Sequence, residues 1–369
     1  MQEPSSAQQD SRSDKDAGAE NASEKPVFSL EENLLLLRDS DTKTRSEAFD
    51  RLLPTSKEEL KEAYKLFRQV KPAPGRELDC LERLEVVVPD PPIVCDRCLC
   101  TVISPGYEDL LENMLDTFHR YAQSPGVQVV VFAVDDSFKA LAHRQDLIRV
   151  ECHSRERLSP AVKGAVYSAA RFIQARQFLC MEVDMLVVGG LDPLWNTLDM
   201  VNPSLMLGVR ATSPRASFDE LFLSLGSANS ASDLSFLTGL TSFDCPYCFN
   251  GGVLAGGREA FELLDRKMRN LAPYSLMWME SRQQHWGDEF LMNLCIALLG
   301  TQAELKLRYN QLLHNTNRER WLQTDFESGR LVFHLDKQAP SKILHFAGQS
   351  RALLYQVKNE IDEYGVAPE

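Results

Sequence analysis

Two acidic residues interrupt an otherwise apolar run near the middle of the chain, residues 178–188 (FLCMEVDMLVV). If the run is a strand, the side chains of Glu182 and Asp184 point to the same face, because they lie two positions apart. Paired carboxylates at a strand end could bind Mn²⁺ or Mg²⁺ and leave coordination positions for diphosphate oxygens and water. Alternatively, a helix N-terminus or an arginine could satisfy these carboxylates, and the triplet alone does not decide between the two interpretations.

Three later stretches also carry residue types suited to binding or catalysis. Asn250 is followed by Gly251 and Gly252, and a missing Cβ lets backbone approach a ligand closely, although Asn-Gly also marks an ordinary turn before a strand. Asp288 opens a helical pattern, where it could serve equally as an N-cap. His345 ends a short apolar strand, a place where many histidines are simply satisfied core residues.

The elements that must position these residues follow a β-α-β pattern. Residues 98–103 and 127–134 are apolar runs separated by a helical pattern over 110–121, and the second run has the composition of a strand buried on both faces. Asp135 and Asp136 follow that strand at its carboxyl end, where open α/β sheets bind ligands.

A second unit extends the same architecture. Residues 161–175 predict a helix, and residues 178–188 predict the next strand. We therefore expect an α/β fold with a mostly parallel central sheet flanked by helices, over a main domain spanning 78–369. Residues 27–75 have helical spacing and predict a small helical appendage, whereas residues 1–26 are polar and predict a disordered tail.

Composition excludes several functional classes. A formal net charge of −13 argues against broad contact with nucleic acid phosphates. The sequence contains neither an apolar run long enough to predict a transmembrane segment nor the apolar block of a secretory signal, so we expect a cytoplasmic protein.

Cys95, Cys98, Cys245 and Cys248 form two C-x-x-C pairs that could bind zinc or act in redox chemistry, but their long separation favours packing roles.

Four stretches, in this order, resemble motifs of GT-A glycosyltransferases, especially family 8, which contains glycogenin and bacterial galactosyltransferases. They are residues 178–195 (FLCMEVDMLVVGGLDPLW), 249–253 (FNGGV), 286–293 (WGDEFLMN) and 343–351 (ILHFAGQSR). Residues 305–310 (LKLRYN) also resemble the family's L-P-x-x-Y-N stretch. Glu182 stands where the family usually has Asp, Glu289 where it has Gln, and Arg351 where it has Lys.

This resemblance implies a metal-dependent enzyme that moves a sugar from a nucleoside-diphosphate sugar, expected to be a UDP-sugar, to an acceptor hydroxyl with retention of configuration. The acceptor could be a carbohydrate, a protein or a lipid-linked group. The resemblance also implies that Glu182, Asp184 and His345 hold Mn²⁺ or Mg²⁺. The implied catalytic residues are Asp288 and Glu289.

The resemblance further implies a set of donor-binding residues. Lys163 and Arg351 would neutralise the diphosphate, the segment around Asn250 would contact the sugar, and the acids after the second strand would meet the nucleobase or ribose. The complete set is Asp135, Asp136, Lys163, Glu182, Asn250, Gly251, Gly252, Gly348 and Arg351.

Two other functions remain open at this point. An inverting GT-A transferase would use Asp288 or Glu289 as a general base on the acceptor hydroxyl. A catalytically silent binding module would keep the fold without the chemistry, as the Glu182 and Glu289 exchanges suggest. Residues 210–246, rich in Ser, Ala and Phe, form either an acceptor-facing lid or a surface insertion.

Overall fold

The computed structural model describes residues 27–69, 71–155, 163–212, 216–225, 230–240, 247–283, 287–313, 322–325, 328–336 and 339–367. The predicted tail, residues 1–26, lies outside these ranges. The helices are α1 (Leu30–Leu36), α2 (Thr42–Leu52), α3 (Lys57–Arg68), α4 (Glu108–Tyr121), α5 (Ser137–Ala140), α6 (Gly164–Tyr167), α7 (Ala169–Phe172), α8 (Asp192–Met200), α9 (Phe218–Ser224), α10 (Ser230–Thr238), α11 (Arg258–Arg282), α12 (Asp288–Leu299) and α13 (Arg351–Tyr364).

The strands are β1 (Arg76–Leu78), β2 (Leu84–Val87), β3 (Ile93–Ile103), β4 (Val127–Val134), β5 (Ile148–Ser154), β6 (Ile173–Met181), β7 (Met185–Val187), β8 (Met206–Arg210), β9 (Phe249–Gly257), β10 (Gln302–Leu305), β11 (Gln311–Leu312), β12 (Leu322–Thr324), β13 (Leu331–Asp336), β14 (Ala339–Pro340) and β15 (Ile343–His345).

The largest sheet in the described part of the chain has nine strands in the order β1-β2-β5-β4-β3-β6-β9-β8-β10. The central strands β5, β4, β3 and β6 are parallel, as the β-α-β pattern predicts. The sheet as a whole is mixed, because β9 runs antiparallel to both β6 and β8, and β2 runs antiparallel to β5. The predicted α/β class is confirmed, and the parallel pairing predicted for most of the sheet is concentrated at its centre.

Helices cover both faces of this sheet, as apolar side chains along the strands require. On β3, Cys98 and Cys100 belong to one buried cluster, which also holds Phe261 of α11. Leu99 belongs to a second cluster, which contains Leu115 of α4. Because successive side chains of a strand alternate between the faces, the two clusters lie on opposite sides of the sheet.

Three helices form the predicted N-terminal helical segment. Their N-caps are Ser29, Asp41 and Ser56, each of which accepts a hydrogen bond from a backbone N–H in the first turn. Buried Leu34 and Leu60 belong to the same apolar cluster as one face of the main sheet. The helical character of this segment is confirmed, whereas its separation from the main domain near residue 75 stays a prediction.

Two sequence-based element assignments are corrected by the structure. Residues 161–175 were predicted as one helix, but in the described part of this stretch α6 and α7 are single turns and the chain is already extended from Ile173. Residues 178–188 were predicted as one strand, but the chain bends between Met181 and Met185. This bend lets β7 leave the main sheet and pair antiparallel with β15, which places His345 opposite Met185.

Among the described residues, none of the helices combines the length and the apolar character that a bilayer crossing requires.

Candidate active site

A cavity of about 780 Å³ opens at the carboxyl ends of β3 and β6. Residues from distant parts of the chain line it, because the sheet order brings β3, β6 and β9 side by side. Most of the residues singled out from the sequence belong to this wall: Lys163, Glu182, Asp184, Asn250, Gly251, Asp288, Glu289, His345, Gly348 and Arg351.

Glu182, Asp184 and His345 meet on one side of the cavity. His345 Nε2 lies 3.0 Å from Glu182 Oε2 and 3.5 Å from Asp184 Oδ1, and one ligand atom from each residue falls within 4.8 Å of the others. The sequence predicted that the two carboxylates share one face of a strand. This prediction is wrong, because both residues lie in the bend between β6 and β7. The β7–β15 pairing brings the imidazole to them instead.

This cluster has the donor set and the unmet hydrogen bonding that a divalent cation would satisfy. Asp184 Oδ1 and His345 Nε2 are buried, and neither has a hydrogen-bond partner, so the close approach of His345 Nε2 to Glu182 lacks hydrogen-bond geometry. Two carboxylate oxygens and one imidazole nitrogen suit Mn²⁺. In the described residues this is the one cluster of at least three His, Cys, Asp or Glu side chains close enough to share an ion.

Charged neighbours control the protonation of the cluster. Burial would raise the pKa of the Glu182 carboxyl, but the Lys163 ammonium and the His345 imidazole outweigh burial and hold that pKa below its usual range. Burial would lower the pKa of His345, but Asp184 and Glu182 raise it to about 9. The site therefore keeps an ionised carboxylate that attracts cations.

Lys163 lies beside the cluster of Glu182, Asp184 and His345. Its ammonium pairs with Glu182 Oε1 and donates a hydrogen bond of 3.4 Å to the carbonyl of Gly251. Burial alone would lower the pKa of Lys163, but the Glu182 carboxylate raises it above its usual range. Lys163 thus brings a fixed positive charge to the cavity wall.

The glycines of the Asn-Gly-Gly segment are required by close packing. They lie within β9, so the interpretation as a turn is wrong. A Cβ on Gly252 would stand 2.7 Å from Cε1 of His345 and 2.5 Å from Cε of Met185. A Cβ on Gly251 would stand 3.0 Å from Nζ of Lys163 and 2.9 Å from Oε2 of Glu289. Two side chains therefore pack directly against each glycine.

Helix α12 brings two acids to the cavity wall. Asp288 is the first residue of α12 and follows the cap residue Gly287 without making a capping bond, so its predicted N-cap role is wrong. Asp288 is 2% exposed, and its Oδ2 atom is buried without a hydrogen-bond partner. Glu289 Oε2 accepts a hydrogen bond of 2.9 Å from the Gly251 N–H. Asp288 therefore brings a carboxylate with a buried, unpaired oxygen to the cavity wall.

Gly348 and Arg351 close the cavity at the start of α13. Gly348 has a φ of 61°, in the left-handed region that favours glycine. The guanidinium of Arg351 lies over the ring of Tyr107, 4.5 Å from its centroid. This stacking holds a second cation at the cavity wall.

Asp135 and Asp136 are placed differently from the other predicted residues. They follow β4, as predicted, but neither is among the described residues that line the cavity. Asp135 Oδ1 accepts a hydrogen bond of 3.1 Å from the Ser154 N–H. The Asp136 side chain is 88% exposed. The structure therefore gives Asp135 a role in the loop and leaves contact of either acid with a nucleoside as a prediction.

Sequence reasoning missed three residues at the site. Tyr107 and Tyr167 line the cavity, and the Tyr167 hydroxyl is buried without a hydrogen-bond partner. Asn310 accepts a hydrogen bond from His345 Nδ1 at 2.9 Å. Asn310 belongs to the LRYN stretch, so its motif was visible in the sequence, whereas neither tyrosine belongs to any motif there.

Two further hypotheses, on the cysteine pairs and on residues 210–246, concern residues that lie partly outside the described ranges. Cys95 and Cys98 have free thiols, and Cys245 lies outside the described residues, so the zinc hypothesis stays a prediction. Of residues 210–246, the described part includes α9 and α10. The Phe222 ring of α9 packs 4.6 Å from the Phe290 ring of α12, which ties this stretch to the helix that carries Asp288.

No protein-family model and no curated protein matches the chain. The chain is similar to the galactosyltransferase LgtC, solved with donor and acceptor sugar analogs, at 14% identity and a TM-score of 0.47, over 74% of this chain and 98% of that one. It is similar to the glycosyltransferase GlyE of Streptococcus pneumoniae TIGR4 at 13% identity and a TM-score of 0.43, over 73% and 63% of the two chains. Mouse xyloside xylosyltransferase 1 gives 13% identity and a TM-score of 0.43, over 69% and 99%.

Proposed function

We propose that this protein is a GT-A-type glycosyltransferase that uses Mn²⁺ or Mg²⁺ to transfer a sugar from a nucleoside-diphosphate sugar, a UDP-sugar by preference, to an acceptor hydroxyl. The observation that carries the proposal is the convergence of Glu182, Asp184 and His345 at the wall of a cavity that also holds Asp288. The order of the motifs along the chain, which resembles that of family 8, supports the same conclusion.

The cluster would hold the cation through Glu182, Asp184 and His345. When bound, the cation would supply Lewis-acid stabilisation of the negative charge that develops on the leaving diphosphate. Lys163 and Arg351 add positive charge at the same wall, so they would bind diphosphate oxygens and favour departure of that group. The arginine can grip two phosphate oxygens at once, which a lysine cannot.

Asp288 would act at the sugar. Asp288 lines the cavity and has a carboxylate oxygen without a hydrogen-bond partner, so its carboxylate can stabilise positive charge that develops at the anomeric carbon. Glu289 is held by the Gly251 N–H, which orients it toward the donor pocket. Retention follows from the family resemblance: the acceptor hydroxyl attacks from the side of the leaving group, so neither acid serves as an in-line base.

A thermal-shift experiment tests the metal and donor together. The wild-type chain would be titrated with a panel of nucleotide sugars, with and without Mn²⁺, beside Asp184→Ala. We expect at least one UDP-sugar to raise the melting temperature of the wild type only when Mn²⁺ is present, and no such effect in Asp184→Ala. Asp50→Ala, which removes an exposed acid from α2, is the matched control and should behave as the wild type.

Product analysis separates the remaining alternatives. A retaining transferase gives a product with the anomeric configuration of the donor, whereas the opposite anomer would support the inverting alternative with Asp288 or Glu289 as base. A silent binding module would show Mn²⁺-dependent stabilisation without donor hydrolysis or transfer, even at high protein concentration. If a nucleotide sugar raises the melting temperature equally with and without Mn²⁺, and equally in the wild type and in Asp184→Ala, the proposed function is contradicted.

A further inference from the structure

Asn310 is a buried amide next to the imidazole of His345. It is 2% exposed and follows a short 3₁₀ turn, where its N–H donates to the carbonyl of Leu307 at 2.9 Å. Strand β11 begins one residue later and pairs in parallel with β15, with Leu312 opposite His345. The backbone pairing therefore places the Asn310 side chain beside the ring.

Hydrogen bonds link Asn310 to β9 through Asn250. The Gly252 N–H donates to Asn250 Oδ1 at 3.0 Å. The same oxygen accepts a second hydrogen bond of 2.7 Å from Asn310 Nδ2. Asn310 Oδ1, the other polar atom of that amide, lies 2.9 Å from His345 Nδ1. We call this chain of contacts, from Gly252 through Asn250 and Asn310 to His345, the amide relay.

The polarity of the amide relay follows from one backbone group. A backbone N–H can only donate, so the Asn250 atom facing Gly252 must be its oxygen. The Asn310 atom facing that oxygen must then be the amide nitrogen, which leaves the Asn310 oxygen toward His345. Because a carbonyl oxygen can only accept, Nδ1 of His345 must carry the proton in this bond. The orientation of both amides and the donor role of Nδ1 are thereby determined together.

This arrangement has a direct consequence for the other ring nitrogen. In a neutral imidazole with the proton on Nδ1, Nε2 presents a lone pair. That atom lies 3.0 Å from Glu182 Oε2 and 3.5 Å from Asp184 Oδ1. Three atoms with lone pairs then face one another, and either a proton on Nε2 or a metal cation between them makes the arrangement favourable.

We propose that Asn310 is a positioning residue that orients His345, so that Nε2 is presented to a divalent cation shared with Glu182 and Asp184. This inference rests on the proposed metal-dependent function. It also limits the role of Asn250: its Oδ1 accepts two hydrogen bonds within the protein, so only its Nδ2 remains for a donor sugar. Asn310 needs no contact with substrate.

Mn²⁺ binding, measured by calorimetry on the full chain, tests the proposal without relying on turnover. Asn310→Leu removes the acceptor for Nδ1–H and should weaken Mn²⁺ binding by about 10- to 100-fold, the range seen when hydrogen-bond partners of metal-bound histidines are removed. Asn310→Asp keeps an acceptor for Nδ1–H but cannot donate to Asn250, and it should bind Mn²⁺ at least as tightly as the wild type. Asn33→Leu, at a buried asparagine in α1, is the matched control and should leave Mn²⁺ binding unchanged.

The outcomes distinguish orientation from simple structural support. Wild-type Mn²⁺ affinity in Asn310→Leu overturns the proposal. Equal losses in Asn310→Leu and Asn310→Asp also overturn it, because both variants break the bond to Asn250. If Asn310→Leu does not fold, Asn310→Ser, whose side chain is too short to reach the ring, carries the same expected loss.

Failure of the proposed function gives a different pattern. His345→Ala should lose most of the Mn²⁺ affinity of the wild type if the metal site exists. If the wild type binds no Mn²⁺ and His345→Ala gives the same result, both the proposed function and this inference are wrong. Tight binding by the wild type and by Asn310→Leu, with loss only in His345→Ala, would leave the metal site in place and reject Asn310 as its positioning residue.

Discussion

At the scale of single residues, the site depends on how closely backbone approaches the imidazole. We expect Gly252→Ala to weaken Mn²⁺ binding by about tenfold or more, because the new Cβ would lie within 2.8 Å of the His345 ring and displace it. Gly190→Ala is the matched control, since its Cβ would meet only the end of the flexible Gln123 side chain at 3.2 Å. Calorimetric titration with Mn²⁺ checks both variants, and equal affinities for the two would contradict the packing argument.

Protonation of His345 makes a second prediction at this scale. The surrounding carboxylates raise its pKa to about 9 in the metal-free site, so below that pH a proton must leave the imidazole when a metal binds. Mn²⁺ affinity should therefore rise with pH by up to about tenfold per unit between roughly pH 6 and 8. His345→Ala should show a shallower slope. Affinity that is flat over this range in the wild type would indicate that His345 is not a ligand.

The sequence identified most of these residues but not the means by which they meet. Glu182 and Asp184 were found because charge interrupts an apolar run, and His345 because its motif resembles a known family. The pairing of β7 with β15, which joins them, depends on two short strands of three residues each. Segments of three residues are too short to show a hydrophobic periodicity. The bend at residues 182–184 likewise has no sequence pattern that predicts a bend.

At the scale of elements, the N-terminal helices support the end of α11. Arg45 is 2% exposed; it donates to the carbonyls of Asp39 at 2.7 Å and Ser40 at 2.9 Å, and to that of Ser281 in α11 at 3.4 Å. We expect Arg45→Ala to lower the free energy of unfolding by about 2 to 3 kcal/mol, because three carbonyls, including that of buried Ser281, lose a charged hydrogen-bond donor. Lys43→Ala, on the same helix but with its side chain 83% exposed, should change it by less than about 0.5 kcal/mol. Denaturant titration of both variants measures the difference, and similar values would argue against this role.

Element prediction succeeded where one pattern corresponds to one element and failed where one stretch contains several short elements. The strand predicted over residues 127–134 is β4 with the same bounds. The 161–175 stretch is apolar and helix-compatible, yet it contains two single turns and the start of β6. Pairing of β6 with β3 from Ile93 onward overrides the local preference, and a sequence window contains no information about that partner.

At the scale of the whole molecule, the helical segment and the main sheet share one buried apolar cluster. Removing residues 1–69 would expose the sheet-facing side of that cluster, so we expect the truncated chain to aggregate or to melt without a cooperative transition. Removing residues 1–26 alone, the predicted disordered tail, should leave the melting temperature unchanged. Scanning calorimetry of both truncations checks this, and a stable, cooperative 70–369 fragment would show that the segment is a separable appendage.

The metal-dependent function requires one divalent cation that joins Glu182, Asp184 and His345. A crystal structure of the full chain with Mn²⁺ and UDP, with anomalous data at the manganese edge, would locate that ion. We expect a single strong peak about 2.0 to 2.3 Å from an oxygen of each carboxylate and from Nε2 of His345. A peak bound elsewhere, or a manganese ion at the carboxylates with the imidazole turned away from it, would rule out this three-residue site.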